Sequence, residues 1–74
     1  MGNFVTLREE LLKRLPPLVP RNKVGVLTGG LISPKSLANK DSLGLGPRKK
    51  VKFGGKVCYP REALIEWILE QIEG

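Results

Sequence analysis

Leu7, Leu11, Leu12 and Leu15 fall on one helical stripe, with charged residues between them. Thr6-Leu7-Arg8-Glu9 has the spacing of a capping box: the Thr hydroxyl accepts from the Glu9 amide and the Glu9 side chain reaches back. The pattern predicts a helix over 6–15. Pro16-Pro17 stops it, because proline disfavours helix in the residue before it. Residues 16–20, Pro-Pro-Leu-Val-Pro, read as an extended connector. Pro20-Arg21-Asn22-Lys23 opens a second short helix over 20–28, with Val24 and Leu27 inward. Thr28-Gly29-Gly30 ends it, and Gly25 weakens it by about 1 kcal/mol relative to alanine. Ser33-Pro34 is the clearest helix start in the chain, with Ser as N-cap and Pro in the first helical position. The third helix is predicted over 34–40, with Leu37 inward and Lys35, Ser36, Asn39 and Lys40 outward.

A glycine-bearing turn separates Val24 from Leu37, which is helix-turn-helix spacing. An ordinary helical hairpin satisfies the same spacing. Residues 41–50 read as a loop punctuated by Gly44, Gly46 and Pro47, with Leu43 tucked beneath it. Val51-Lys52-Phe53, Gly54-Gly55-Lys56 and Val57-Cys58-Tyr59 read as a β-hairpin. A two-residue Gly54-Gly55 turn pairs Phe53 with Lys56. A three-residue loop over 54–56 pairs Phe53 with Val57 and Val51 with Tyr59. The longer loop collects four apolar side chains on one face and leaves Lys50, Lys52 and Cys58 on the other, so it is the expected register. Pro60 opens a last helix over 60–72. Ala63, Leu64, Trp67 and Ile68 form one stripe, Ile65, Leu69 and Ile72 a second, and Glu62, Glu66, Glu70 and Glu73 a polar edge. So wide an apolar surface exceeds what one thin domain needs and invites self-association.

Length fits one small domain over 1–74: the chain has 74 residues. Such a chain buries only ~60 % of its unfolded surface. Charge changes the picture more. The formal net charge is +6, and residues 21–61 hold ten Lys and Arg against Asp41 alone, whereas 62–74 hold four Glu and no base. A positive body of this kind suits a phosphate polyanion. The chain has no His and one Cys, which excludes Cys/His zinc sites, disulfide scaffolds and His-based triads. No apolar run approaches a membrane span, and Glu9 and Glu10 interrupt the place of a signal-peptide core. A cytoplasmic protein with no membrane partner is expected, and free Cys58 fits a reducing compartment.

The glycine pairs do not form an enzyme's phosphate loop. No Gly lies five residues before Gly55-Lys56, and Val57 stands where magnesium would need Ser or Thr. Gly44-Leu45-Gly46 is followed by Pro47, without the context of a dinucleotide site. No embedded acid pair suits general acid-base work. A binding protein is expected, with no catalytic residue, metal or cofactor.

Helix-turn-helix, loop, Gly-tipped hairpin and amphipathic helix in that order resemble the excisionase and AlpA-like DNA-binding families, small relatives of MerR-type winged helices. Three stretches carry the resemblance: Val19-Pro20-Arg21-Asn22-Lys23-Val24, Ser33-Pro34-Lys35-Ser36-Leu37, and Val51 through Trp67. It spans about residues 19–69. The last stretch is the most specific, with its hydrophobic-basic-hydrophobic-Gly wing and an acidic residue before Trp67. Gly25, the long turn Gly29-Gly30-Leu31-Ile32 and Lys40-Asp41 depart from the family pattern. The resemblance implies a mainly α winged helix-turn-helix with three to four short helices and a two-stranded wing. It also implies excisionase-like assembly on attachment-site DNA with integrase as partner, or transcription regulation with the transcription machinery.

Base readout is expected from Lys35, Ser36 and Asn39, since Asn pairs bidentately with adenine in the major groove. The free amides of the helix starting at Ser33-Pro34 suit phosphate. Phosphate or wing contacts are expected from Arg21, Lys40, Arg48, Lys49, Lys50, Lys52 and Lys56. A single module buries only ~600–1,000 Å² on DNA, so a homodimer or cooperative multimer through the C-terminal helix is expected. Bland roles stand beside these: Trp67, Phe53 and Tyr59 as core, Asn39 as a helix cap. Core aromatics argue against RNA binding, the third reading. The second is a protein-interaction module using the apolar C-terminal helix.

Overall fold

The computed structural model describes residues 3–72. Among them are four helices and one three-stranded antiparallel sheet, and about half of the chain is helical. In order these are α1 (Asn3–Arg14), β1 (Leu18–Pro20), a 3-10 turn (Arg21–Lys23), α2 (Val24–Leu27), α3 (Pro34–Ser42), β2 (Val51–Phe53), β3 (Lys56–Pro60) and α4 (Arg61–Gln71).

The leucine stripe of α1 packs as its spacing requires, with Leu11 and Leu15 buried and Leu7 and Leu12 against the core. The helix begins three residues before Thr6, so the expected capping box is not its start. Pro16-Pro17 ends it as expected. Its C-terminal carbonyls find a donor far along the chain: Arg61, the first residue of α4, gives Nη1 to Leu12 O at 3.4 Å and Leu15 O at 3.2 Å. A cation here also suits the negative end of the helix dipole. The Arg61 amide holds Pro17 O at 2.8 Å, so one residue staples α1 and the following segment to α4.

The expected connector 16–20 is partly a strand. β1 pairs antiparallel with β3, Val19 opposite Tyr59. Pro20 is tolerated because β1 is an edge strand, where a missing donor leaves no ladder bond unmade. The sheet order is β1-β3-β2, three strands rather than the two expected.

The hairpin register also differs from the expectation. Phe53 pairs with Lys56, Lys52 with Val57 and Val51 with Cys58, around a two-residue Gly54-Gly55 turn. Both glycines have positive φ, 57° and 84°, the conformation whose twist matches the flanking strands. Turn chemistry therefore outweighs collecting apolar side chains. Burying a Phe side chain is worth about 2–3 kcal/mol. That stabilisation is forgone, because Phe53 stays 76 % exposed and is not core. Lys52 shares its face with Val57 and Tyr59, while Cys58 lies opposite, with Val51, Phe53 and Lys56.

The core joins Leu11, Leu15, Val19, Val24, Ile32, Leu37 and Tyr59 to Leu64, Ile65, Trp67 and Ile68. Both apolar stripes of α4 are thus used within the chain: α1, β1 and β3 pack against this helix, and the Trp67 indole donates to Leu45 O at 2.8 Å. The expected apolar excess is absorbed, leaving Ile72 at its rim; Glu62, Glu66 and Glu70 are exposed as expected, and Glu73 lies outside the described residues. Residues 20–28 are a 3-10 turn followed by a four-residue helix rather than one helix. The Thr28 hydroxyl donates to Val24 O and accepts from the Ile32 amide, bridging α2 to the turn that follows. α3 runs two residues beyond the expected end, taking in Asp41 and Ser42. Leu43 is 68 % exposed rather than tucked beneath the loop.

Candidate nucleic-acid interface

Ser33 caps α3 as its sequence requires. Its hydroxyl accepts from the Ser36 amide at 3.0 Å, and its carbonyl accepts from Leu37. Pro34 has no amide hydrogen, so the cap uses two of the three amides of that turn. The first turn therefore offers less to a phosphate than its sequence suggests. Leu37 anchors the inner face of α3 with no exposure. Lys35, Ser36, Asn39 and Ser42 are exposed, and Lys40 is half-buried. Asn39 does not cap the helix with its side chain; its carbonyl instead accepts from the Ser42 hydroxyl at 2.8 Å and from the Leu43 amide.

A cleft of about 260 Å³ lies between the 3-10 turn, the start of α3 and the hairpin, lined by Arg21, Asn22, Pro34, Gly55, Lys56 and Val57. It brings Pro34, the first residue of α3, beside Gly55, Lys56 and Val57 of the β2–β3 hairpin. Lys49, Lys50, Lys52 and Lys56 are all exposed along the approach and the ribbon. Lys52 and Lys56 lie on opposite faces of that ribbon. Ser36 and Lys40 are turned to the other flank of α3, where they line a second cavity of about 470 Å³ with Trp67 and Ile68. The expected readout residues are thus divided: Lys35 and Asn39 stand clear, and Ser36 adjoins α4.

Two expected phosphate contacts have partners inside the chain. Arg48 Nη2 lies 3.5 Å from Glu70 Oε2, with both side chains mostly in solvent. Such a pair contributes little and is screened by salt. Arg21 is held more firmly. Its Nη2 meets Asp41 Oδ2 at 2.6 Å, its Nε donates to the Tyr59 hydroxyl at 2.9 Å, and that hydroxyl donates to the same carboxylate oxygen. The Tyr59 bond raises the Arg21 guanidinium further above its ordinary value, with help from Asp41. Burial, and then the bond to Asp41, push the Tyr59 phenol up to about 12. Arg21 is only 25 % exposed, and it ties the 3-10 turn to the last turn of α3 and to β3. By contrast, Lys23, Lys35, Lys40, Lys49, Lys50, Lys52 and Lys56 have no carboxylate partner among the described residues.

Asn22 lines this cleft and Phe53 is exposed across from Lys56, and neither was expected there. For Phe53 the Gly54-Gly55 dipeptide carried the signal; for Asn22 nothing in the local pattern did. Among the described residues no group of three His, Cys, Asp or Glu side chains could hold a metal, and no helix is long and apolar enough to cross a membrane. The chain matches no known family model, no curated protein and no solved structure.

Proposed function

We propose that this chain binds double-stranded DNA, with α2 and α3 acting as a helix-turn-helix and β2–β3 as its wing. The observation that carries the reading is the cleft that joins the start of α3 to the hairpin, flanked by exposed lysines without carboxylate partners. Phosphates neutralised by Lys49, Lys50, Lys52, Lys56 and Lys35 supply most of the affinity, and Asn39 with Lys35 supplies sequence preference. Ser36 and Lys40 act at the edge of the footprint. Arg21 acts by fixing the angle between α3 and the ribbon, its charge being already engaged. The residues that resemble excisionases and AlpA-like regulators favour a role at recombination sites or promoters, in the cytoplasm and without catalysis. The burial of α4 removes the motive for a protein-interaction module built on that helix, and any homodimer or cooperative assembly uses another face.

Duplex binding followed across a salt series tests this. With about five phosphates neutralised, log K falls against log salt with a slope of roughly −4 to −5. Replacing Lys52 and Lys56 by Ala weakens binding to all sequences alike and makes that slope shallower by about two. A slope near zero, or binding untouched by the pair, refutes the assignment.

A further inference from the structure

We propose that Phe53 is a wedge that the β2–β3 ribbon presses against a base-pair step, so that the chain selects DNA that unstacks readily. The inference rests on the duplex-DNA reading above and adds to it a residue and a mode of selection. Tyr59 and Trp67 are buried, whereas Phe53 is held outside and takes no part in the core. Its position is fixed. It is the last residue of β2, one bond from the Gly54-Gly55 turn, directly across from Lys56. β3 is paired on its far side with β1 over Cys58–Pro60, so the base of the ribbon is braced by a third strand and the tip projects beyond it. The ring therefore stands on the projecting tip of a ribbon anchored at its base.

Its surroundings define the partner. Lys56 is exposed on the ring's own face, Lys52 is exposed on the other face of the ribbon and Lys50 just before it, and none has a carboxylate partner among the described residues. Lys56 also lines the cleft beside Pro34, so the ring's cross-strand neighbour reaches the start of α3. An apolar plane beside Lys56, at the tip of a ribbon that also carries Lys52, fits a partner that is anionic outside and apolar within. A base stack behind its phosphates has that make-up, and apolar side chains do enter minor grooves and part the steps they meet. An anionic bilayer offers similar chemistry, but it leaves the hydrogen-bonding face of Lys35 and Asn39 without a use.

The test uses the whole chain and duplexes carrying 2-aminopurine at the centre, either fully paired or with one mismatch there. The wild-type chain is expected to raise 2-aminopurine fluorescence and to bind the mismatched duplex about tenfold more tightly, because the mismatch lowers the cost of unstacking. Phe53→Ala abolishes both effects while leaving the salt slope and the thermal melt unchanged; Phe53→Leu keeps part of them. If the wild-type chain binds the paired duplex with the expected salt slope but gives no fluorescence change and no mismatch preference, the wedge is refuted and the DNA reading stands. If Phe53→Ala keeps the preference, the wedge is likewise refuted. If the wild-type chain ignores duplexes at low salt and instead binds phosphatidylserine vesicles in a Phe53-dependent way, the DNA reading falls and the wedge falls with it.

Discussion

Asp41 Oδ2 sits 2.6 Å from Arg21 Nη2, and only 6 % of the Asp41 side chain reaches solvent. Asp41 is the sole acid among ten cations in residues 21–61. The carboxylate accepts from Arg21 and from Tyr59, joining three elements that are remote in sequence. Replacing it by Ala leaves a guanidinium and a phenol without their acceptor. Removing one partner of a buried pair typically costs about 3–5 kcal/mol, and the partial exposure of Arg21 sets the expected loss near the lower end. Urea unfolding of Asp41→Ala measures it. Asp41→Asn, which keeps an acceptor oxygen, is expected to lose less.

Tyr59 makes the same network sensitive to alkali. Its phenol is pushed up to about 12 in the folded chain, first by burial and then by the bond to Asp41, against 10.0 when free. The fold thus holds the proton that the unfolded chain releases. Stability is fully present below about pH 10 and falls as pH rises from about 10 to about 12. Lysines titrate in the same window, so the informative quantity is the difference from Tyr59→Phe. That variant is expected to be less stable at pH 7 by about 1–2 kcal/mol, through its lost hydrogen bonds. The gap should narrow between pH 10 and 12. Melts at a series of pH values give both numbers, and a gap independent of pH contradicts the account.

Gly46 is required by this carboxylate. A Cβ placed there would lie 2.0 Å from Asp41 Oδ1 and 3.0 Å from its Cγ. A free side chain would swing away, but this one is held by Arg21 and Tyr59. Gly46→Ala must displace either the loop or the network. A loss of about 1–3 kcal/mol is expected, as for other overpacked sites. The double variant Gly46→Ala, Asp41→Ala is expected to lose less than the two single losses added together, since the clash vanishes with the carboxylate. Additive losses would show that Gly46 acts elsewhere.

Where local pattern sufficed, the sequence predicted the elements. The leucines of α1, Ser33-Pro34 at the start of α3 and the stripes of α4 all lie where their spacing puts them. Two failures share a cause: each was decided by a partner distant in sequence. β1 is a strand because Val19 meets Tyr59, forty residues on. α3 extends to Ser42 while Asp41 is held from outside the helix. The ribbon register turned on a conflict between hydrophobic pattern and turn chemistry, and the turn won at the cost of an exposed Phe53. At the candidate interface, the lysines were legible from charge alone. The engagement of Arg21 was not, although a lone acid amid ten cations was a hint that something would claim it.

A substitution at Asn39 would separate readout from attachment in the proposed DNA complex. Its side chain is exposed on α3, and it makes no hydrogen bond among the described residues. Substitution by Ala therefore removes no internal contact, and the thermal melt should not move. If Asn39 reads adenine, Asn39→Ala lowers affinity for the preferred duplex by about 1–3 kcal/mol and relaxes the choice at one base pair. The salt slope stays the same, because no phosphate contact is lost. Ser42→Ala, on the same exposed side, serves as the control and should leave the preference intact. Selection of bound duplexes from a random pool, run in parallel for wild type and both variants, reports the preference directly. An identical motif from all three would take Asn39 out of the readout and leave attachment to the lysines alone.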